Sequence, residues 1–470
     1  MTDKTLTHHV CMIYLAIIIV IIYAGCPMTD NQFTGAPGEV RLMTLNPGHF
    51  HAALVQKYSL EQVHPTVYIY APSGPDVDLH LGRIESFNAR EENPTNWNTE
   101  TYTGEDYLQR MLEERPGNVV VLAGNNRKKT EYIYRTIDEG FHVLSDKPMA
   151  IDLENWEKLA SAFEKAERNN IFLYDIMTER YEVTSNLQRY LAQDEGLFGK
   201  LITGSRENPA IEKSSVHHLF KYVAGEPLRR PPWYFDVEQQ GEGIVDVTTH
   251  LVDLSMWTAF PGIAIDYRKD IEMLDADRWP TMLTREQFEN ITGLSQFPGY
   301  LKEKLKDDVL PYYCNGEMSY VLRGHHVHIS VEWDYRAPPG GDDMHYSIMR
   351  GTRANLIIRQ GKEENFKSTL YVEPAEGITY QEIRGELERV LTELSQQYPG
   401  IGFQDEELGF RIEVPDEFYL GHEAHFGKVA DAFFQYLIEG ELPHWEVPNM
   451  ITKYFITTMA REIALRGDGI

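Results

Sequence analysis

The stretch Val143-Leu144-Ser145-Asp146-Lys147-Pro148 decides the fold of this chain, because it ends an apolar strand with a charged tripeptide. Runs typical of strands alternate with runs typical of helices on either side of it. Strands are predicted at 41–45, 66–70, 118–123, 141–144 and 171–174, and helices at 52–56, 107–114, 131–139 and 155–169. This alternation predicts a parallel sheet wound on both faces.

The second half of the chain changes character. Antiparallel strands are predicted at 200–204, 316–322, 326–333, 346–349, 354–359 and 368–372, and helices at 247–258, 380–396, 424–437 and 454–465. A chain of 470 residues also exceeds what one core usually organises. We therefore predict an α/β protein: a doubly wound dinucleotide-binding domain over 39–178, then an α+β domain with a large, mostly antiparallel open sheet over 179–470.

A doubly wound sheet binds its ligand beyond the carboxyl ends of the strands, where turn amides favour anions. The predicted cofactor-binding residues lie in these turns: Asn46, Pro47, Gly48, His49, Phe50, Ser73, Gly124, Asn125, Asn126, Asp146 and Lys147. Gly48 is the only glycine of the first turn, so an ordinary strand-to-helix turn is an open alternative there. No carboxylate follows the second strand directly, which leaves the choice between NAD and NADP open.

Asp246 and His250 are four residues apart and share one face of a predicted helix. Oxidation of a hydroxyl needs a base with a pKa near neutrality, which His250 supplies, and an ammonium such as Lys147 stabilises the developing alkoxide. These three residues are the predicted catalytic group. The alternatives are a core histidine for His250 and a solvated loop lysine for Lys147.

The motif from Gly124-Asn125-Asn126 to Asp146-Lys147-Pro148, followed by Gly241-Glu242-Gly243 and then Asp246 and His250, resembles the glucose–fructose oxidoreductase and inositol dehydrogenase (Gfo/Idh/MocA-like) family. The resemblance implies a Rossmann domain and an open-sheet domain that often forms the oligomer contact. It also implies that Lys147 donates a hydrogen bond to the reacting hydroxyl and that His250 takes the proton of that hydroxyl. Asp246 would orient the substrate or the imidazole, and a nicotinamide would accept the hydride. The first turn lacks two of the family's glycines, and Asp146 replaces the commoner glutamate.

Five further residues are predicted to contact substrate: Arg180, Tyr181, His217, Trp233 and Tyr234. Aromatic rings beside cations suit a sugar, although a domain-hinge salt bridge at Arg180 and simple loop packing at the others are equally open. No metal is expected, because His326-x-His328 and His422-x-x-His425 lack a matched cysteine or carboxylate pattern.

The chain has a formal charge of -28 and a sequence pI near 5.0, with no basic run. This composition excludes nucleic acid and anionic membrane surfaces as expected partners. The expected partners are a small sugar or glycoside substrate and further copies of the chain in a homo-oligomer.

The amino terminus predicts export. An aliphatic run at 12–22 precedes Ala24-Gly25-Cys26, which is typical of a lipoprotein signal peptide over 1–25 with Cys26 as the lipidated residue. Residues 26–38 are then a tether to the membrane, and the protein is expected to be a membrane-anchored, periplasmic lipoprotein. An uncleaved single-span anchor is the alternative.

Export implies a cofactor that is held tightly and regenerated in place, since free nicotinamide cofactor is not expected outside the cytoplasm. The sequence therefore predicts a nicotinamide-dependent oxidoreductase that acts on a secondary hydroxyl of a sugar or glycoside with bound, internally recycled NAD or NADP. One alternative is an NAD-dependent glycosidase that works by transient C3 oxidation and elimination, and another is a dehydrogenase that passes a 3-keto-glycoside to a separate lyase. A third, from a different class, is a non-catalytic carbohydrate-binding lipoprotein.

Overall fold

The wholly buried run Val119-Val120-Val121-Leu122 forms a central strand of the amino-terminal sheet in the computed structural model, which describes residues 33–223 and 226–467. Every described strand pair of this six-stranded sheet is parallel, and the strand order is β3-β2-β1-β4-β5-β6. The strands are β1 (Leu42–Leu45), β2 (Thr66–Ala71), β3 (Asn98–Thr103), β4 (Val119–Leu122), β5 (His142–Asp146) and β6 (Leu173–Ile176). The doubly wound sheet predicted from the sequence is confirmed.

Helices alternate with the strands of this half, and capping residues mark where some of them begin and end. They are α1 (His51–Leu54), α2 (Pro75–Ala89), α3 (Tyr107–Glu114), α4 (Lys129–Asp138) and α5 (Leu153–Arg168). The carboxylate of Asp152 accepts a hydrogen bond from the Asn155 amide at 2.8 Å and so begins α5. Gly140, at φ +83°, lets the chain leave α4 and enter β5.

The second sheet has nine strands in the order β10-β11-β12-β7-β13-β14-β15-β17-β16, and among its described pairs only β7 with β12 is parallel. The strands are β7 (Ile211–Phe220), β10 (Ile271–Leu283), β11 (Leu310–Leu322), β12 (His325–Arg336), β13 (Met344–Arg350), β14 (Ala354–Gln360), β15 (Thr369–Pro374), β16 (Gly402–Asp405) and β17 (Phe410–Glu413). A separate hairpin joins β8 (Tyr222–Val223) to β9 (Glu226–Pro227). The predicted large, mostly antiparallel sheet is confirmed.

One predicted strand is wrong. Residues 200–204 form only isolated bridges, from Leu201 to Gly351 and from Gly204 to Pro209, because Gly199 and Gly204 both take positive φ values that break an extended run.

Most helices of the second half pack on the nine-stranded sheet, whereas α12 packs on the first half and α13 contacts both. They are α6 (Val183–Leu191), α7 (Val237–Gln240), α8 (Thr248–Ala259), α9 (Arg285–Thr292), α10 (Gly299–Lys302), α11 (Tyr380–Leu394), α12 (His422–Glu439) and α13 (Glu446–Gly467). Phe426 and Phe433 of α12 and Tyr454 of α13 belong to the same apolar core as β1, β4 and β5. The predicted domain boundary at 178 stays a prediction, but the final helices complete the core of the amino-terminal half.

A buried ion network ties these helices to the first sheet. The Lys453 ammonium on α13 lies 2.6 Å from the Asp175 carboxylate of β6 and 2.8 Å from that of Asp253 on α8. Arg180 pairs with Asp253 at 2.7 Å and with Glu446 at 2.8 Å. Since burial of a charge is tolerated only when it is paired, these five side chains fix the junction.

The predicted signal peptide over 1–25, Cys26 and most of the predicted tether lie outside the described residues. Within 33–223 and 226–467, none of the helices combines the length and apolarity that a membrane crossing requires.

Replacing Lys453 by methionine should strongly destabilise the protein, because the substitution leaves two buried carboxylates without their shared cation. The expected loss in free energy of unfolding is about 3–5 kcal/mol, measured by urea denaturation. Lys269→Met is the matched control: the Lys269 side chain is 78% exposed in its pair with Asp266, so little change is expected. Equal losses in both variants would contradict a structural role for the network.

Candidate active site

Lys147 and Asp246 form an ion pair where the carboxyl end of β5 meets the amino end of α8. The Lys147 Nζ atom lies 2.6 Å from Asp246 Oδ1, and both side chains are nearly buried. Asp246 also accepts a hydrogen bond from Gln240 Nε2 at 3.0 Å. The structure thus brings together two residues that the sequence separates by 99 positions.

Each partner of this pair holds the other in its charged form. Burial alone would lower the pKa of Lys147, but the carboxylates of Asp246 and Asp146 outweigh it and raise the pKa. Burial alone would raise the pKa of Asp246, but Lys147 outweighs it and lowers that pKa. The site therefore presents a permanent ammonium at neutral pH.

His250 lies in the first turn of α8, and its Nδ1 atom is buried without a hydrogen-bond partner among the described residues. Burial, and then the Lys147 charge, lower the pKa of His250 to about 4. The imidazole is consequently neutral at physiological pH. Lys147, Asp246 and His250, the three predicted catalytic residues, share one electrostatic environment.

The turn after β4 supports this group. Asn125 Nδ2 donates to Gln239 Oε1 at 2.7 Å, and Asn126 Nδ2 donates to the Gln240 carbonyl at 2.6 Å. Gln240 in turn bonds Asp246. Asn125 and Asn126, predicted to bind cofactor, thus fix α7 and, through Gln240, the orientation of Asp246.

The first turn differs from a glycine-rich anion cradle. The amides of Gly48 and His49 both donate to the Ala123 carbonyl, at 3.1 and 3.2 Å, and α1 is only four residues long. A Cβ on Gly124 would lie 2.5 Å from the Asn46 carbonyl oxygen, so the turns after β1 and β4 are in direct backbone contact. A side chain at position 124 would therefore displace the first turn.

Guanidinium groups line a cavity beside the first turn, which is formed by Gly48, His49, Phe50 and by Arg83, Arg229 and Arg230. Arg229 donates to the carbonyls of Glu289 and Asn290, and Arg230 donates to those of His218 and Leu219. Burial lowers the pKa of Arg83. Arginine is the residue of choice for phosphate oxygens, so these side chains, rather than the engaged amides, are the groups that could hold the pyrophosphate of a dinucleotide.

A carboxylate that the sequence reasoning missed lies in the same cavity. Ser73 and the residues directly after β2 carry none, but Asp76, in the first turn of α2, reaches the first turn, where it accepts a hydrogen bond from Trp233 Nε1 at 2.8 Å. Burial raises the pKa of Asp76. The sequence does show this acidic residue three positions after Ser73, in the helix that begins at Pro75.

Some of the predicted substrate residues make structural contacts, whereas others lie at the cavity of the first turn. All three nitrogen groups of Arg180 bond Asp253 or Glu446, which favours the open alternative of a junction salt bridge. Tyr181 packs against the core beside Tyr436, and burial raises its pKa to about 12. Neither residue presents a free polar group to the Lys147 site.

Trp233 and Tyr234 occupy the short helix at 232–235 and line or border the cavity of the first turn. His217 lies on β7, where its ring contacts Trp333 and its Nδ1 atom is 3.1 Å from Asp343. Trp233 and Tyr234 are therefore the predicted substrate residues that the structure brings closest to the first turn.

Several polar residues converge on the catalytic group without having been predicted. His51 Nδ1 lies 2.9 Å from Asp146 Oδ2, and Lys129 Nζ donates to the Asp146 carbonyl at 3.1 Å. Burial lowers the pKa of Lys129 to about 8. Glu179 and His422 complete this set, 3.6 Å apart and within electrostatic range of His250. Because these residues are far apart in the sequence, their proximity in the structure could not be predicted from it.

Two family models match this chain. Residues 187–465 match "Putative oxidoreductase C terminal domain", and residues 77–173 match "Oxidoreductase family, NAD-binding Rossmann fold". A crystal structure of a "putative oxidoreductase" from Parabacteroides merdae is 53% identical, covers 93% of this chain and 100% of its own, and has a TM-score of 0.91. This chain belongs to the Gfo/Idh/MocA oxidoreductase family. The resemblance and the NAD-binding Rossmann domain predicted from the sequence are confirmed.

The NAD-binding match begins at residue 77, beyond the divergent first turn. More distant structures share the fold. A levoglucosan dehydrogenase in complex with NADH and levoglucosan is 12% identical, covers 91% of this chain and 97% of its own, and has a TM-score of 0.57. A 3-ketoreductase from Actinomadura kijaniata in complex with NADP is 15% identical, covers 90% and 97%, and has a TM-score of 0.54. No curated protein matches the chain.

Proposed function

We propose that this oxidoreductase acts on a secondary hydroxyl of a sugar or glycoside, with a nicotinamide cofactor that stays bound and is recycled within the site. The observation that carries the proposal is the convergence of a paired ammonium, Lys147, with a neutral imidazole, His250, whose Nδ1 atom has no partner. The levoglucosan dehydrogenase that shares this fold supports the substrate class.

The two side chains divide the chemistry of the hydroxyl. The neutral imidazole of His250 accepts the hydroxyl proton. Lys147 Nζ stabilises the negative charge that develops on the oxygen. Asp246 positions Lys147 through their 2.6 Å contact.

The arginine-lined cavity and the turns after β1, β4 and β5 would hold a dinucleotide, whose nicotinamide would supply the acceptor for the hydride of the carbinol carbon. When a ketone is reduced instead, the roles of the protein's own residues are reversed, and His250 returns the proton to the oxygen. A cycle of this kind serves either net exchange between two sugars or redox-neutral glycoside cleavage, which product analysis distinguishes.

A second candidate function is carbohydrate binding without catalysis. It is favoured by one observation, the engagement of the Gly48 and His49 amides with the Ala123 carbonyl in place of a phosphate. The retained Lys147–Asp246 pair argues against it, because sugar binding alone does not require a buried ammonium beside a neutral base.

We also propose that the protein is exported and anchored through lipid on Cys26, as the sequence of its first 26 residues indicates. A homo-oligomer that uses the open sheet is part of the same proposal.

Purified protein should carry its cofactor. Denaturation is expected to release NAD(H) or NADP(H) in a stoichiometric amount, identified by mass spectrometry, and added glycosides should change the near-ultraviolet absorbance of the reduced nicotinamide. Protein with no nucleotide and no affinity for one would instead favour the non-catalytic candidate.

Lys147→Met and His250→Asn should each lower kcat by roughly 10²–10⁴-fold, because each removes one half of the proton and charge chemistry. Turnover is measured on a panel of glycosides, with cofactor content determined in parallel. Lys200→Met, at an exposed position, is the control and should keep wild-type turnover. Unchanged turnover in both site variants would remove the proposed roles.

The oxidation rate should depend on pH through His250. Protonation removes the base, and the pKa of about 4 reflects burial, the charges of Lys147 and His422, and the opposing carboxylates of Glu179 and Asp146. The acid limb of kcat is therefore expected near pH 4 rather than near 6.5, and Lys147→Met should shift it upward. A wild-type limb centred near 6.5 would contradict a buried base facing an ammonium.

A further inference from the structure

We propose that His49, His51 and Asp146 form a binding site for a divalent transition-metal ion, between the turn after β1 and the carboxyl end of β5. Each residue offers one ligand atom, and these atoms all lie within 4.8 Å of one another. The inference goes beyond the proposed oxidoreductase function, and direct measurement of bound metal tests it without any assay of activity.

Of the two distances to the Asp146 carboxylate, one is a hydrogen bond and the other is not. Asp146 Oδ2 lies 2.9 Å from His51 Nδ1 and 3.7 Å from His49 Nδ1. The second distance is too long for a hydrogen bond, but it matches the separation between neighbouring ligands at metal–nitrogen and metal–oxygen distances of about 2.0–2.2 Å. The remaining described contact of His49 Nδ1 is a 3.5 Å approach of the His51 amide.

The donor set determines the class of ion. Two imidazoles and one carboxylate on one side of an ion leave other positions open, an arrangement found with Fe²⁺ and with catalytic Zn²⁺. Imidazole ligates a metal ion in its neutral form. Hard cations such as Mg²⁺ prefer oxygen ligands and fit this set poorly.

The charges around the two histidines balance without a metal ion. The carboxylates of Asp146 and Asp246 face the ammonium groups of Lys147 and Lys129. Lys147 is paired with Asp246, and Lys129 donates to the Asp146 carbonyl rather than to its carboxylate. The carboxylate oxygens of Asp146 thus remain available to a metal.

The experiment measures metal on the full chain purified without a polyhistidine tag. Zinc and iron content is determined by elemental analysis, and the metal-depleted protein is titrated with Co²⁺, whose visible absorption reports its coordination. We expect stoichiometric uptake by the wild type and, for the double variant His49→Ala/His51→Ala, affinity weaker by at least roughly 100-fold. Asp146→Asn should weaken binding while it preserves the volume of the side chain.

The chain offers a matched control in His326 and His328, which have the same spacing on β12 but no carboxylate that completes a set of three. His326→Ala/His328→Ala should bind Co²⁺ like the wild type. Circular dichroism establishes that each variant is folded. The proposal is overturned if folded wild-type protein takes up no Co²⁺, or if the β12 variant loses binding as much as the first-turn variant.

Discussion

The ion pair between Lys147 and Asp246 is the interaction on which the site depends. Lys147 leaves the end of a parallel strand of the first sheet, and Asp246 begins a helix that packs on the second. Neither charge is tolerable alone in this environment, so the pair forces the two halves of the chain to meet there. Everything that surrounds it, from Gln240 to His250, is positioned relative to that contact.

The first sheet was predictable because its signals are local, and so are the signals from which catalytic roles for Lys147, Asp246 and His250 are proposed. Buried runs such as 119–122 can form only a central strand, and the spacing of Asp246 and His250 fixes one helical face. The central strand of the second sheet, β7, was not predicted. Its Lys213 is fully buried but donates to Gln188 and Ser347, so a sequence that looks solvent-exposed is satisfied by tertiary hydrogen bonds.

The other polar residues around the site were unpredictable because they are far apart along the chain. His51 and Asp146 are 95 positions apart, and Glu179 and His422 come from elements still further along the chain. Sequence spacing reports neighbours on one helix or strand, whereas these residues meet because separate strand ends share one edge of a sheet. The same holds for Asp76, whose distance from the end of β2 hid a carboxylate that lies in the cavity.

The return of α12 and α13 to the first sheet has a consequence for synthesis of the chain. Trp156 Nε1 donates to the Ile451 carbonyl, and Tyr454 fills the core beside β6, so contacts of the nucleotide-binding half span nearly 300 positions. A nascent polypeptide released before its last helices therefore leaves that half with exposed apolar surface. Truncations at the carboxyl end that remove Tyr454 should therefore damage the dinucleotide fold as well as the second core, to which Ile456, Ala460 and Ala464 belong, although they begin at the opposite terminus.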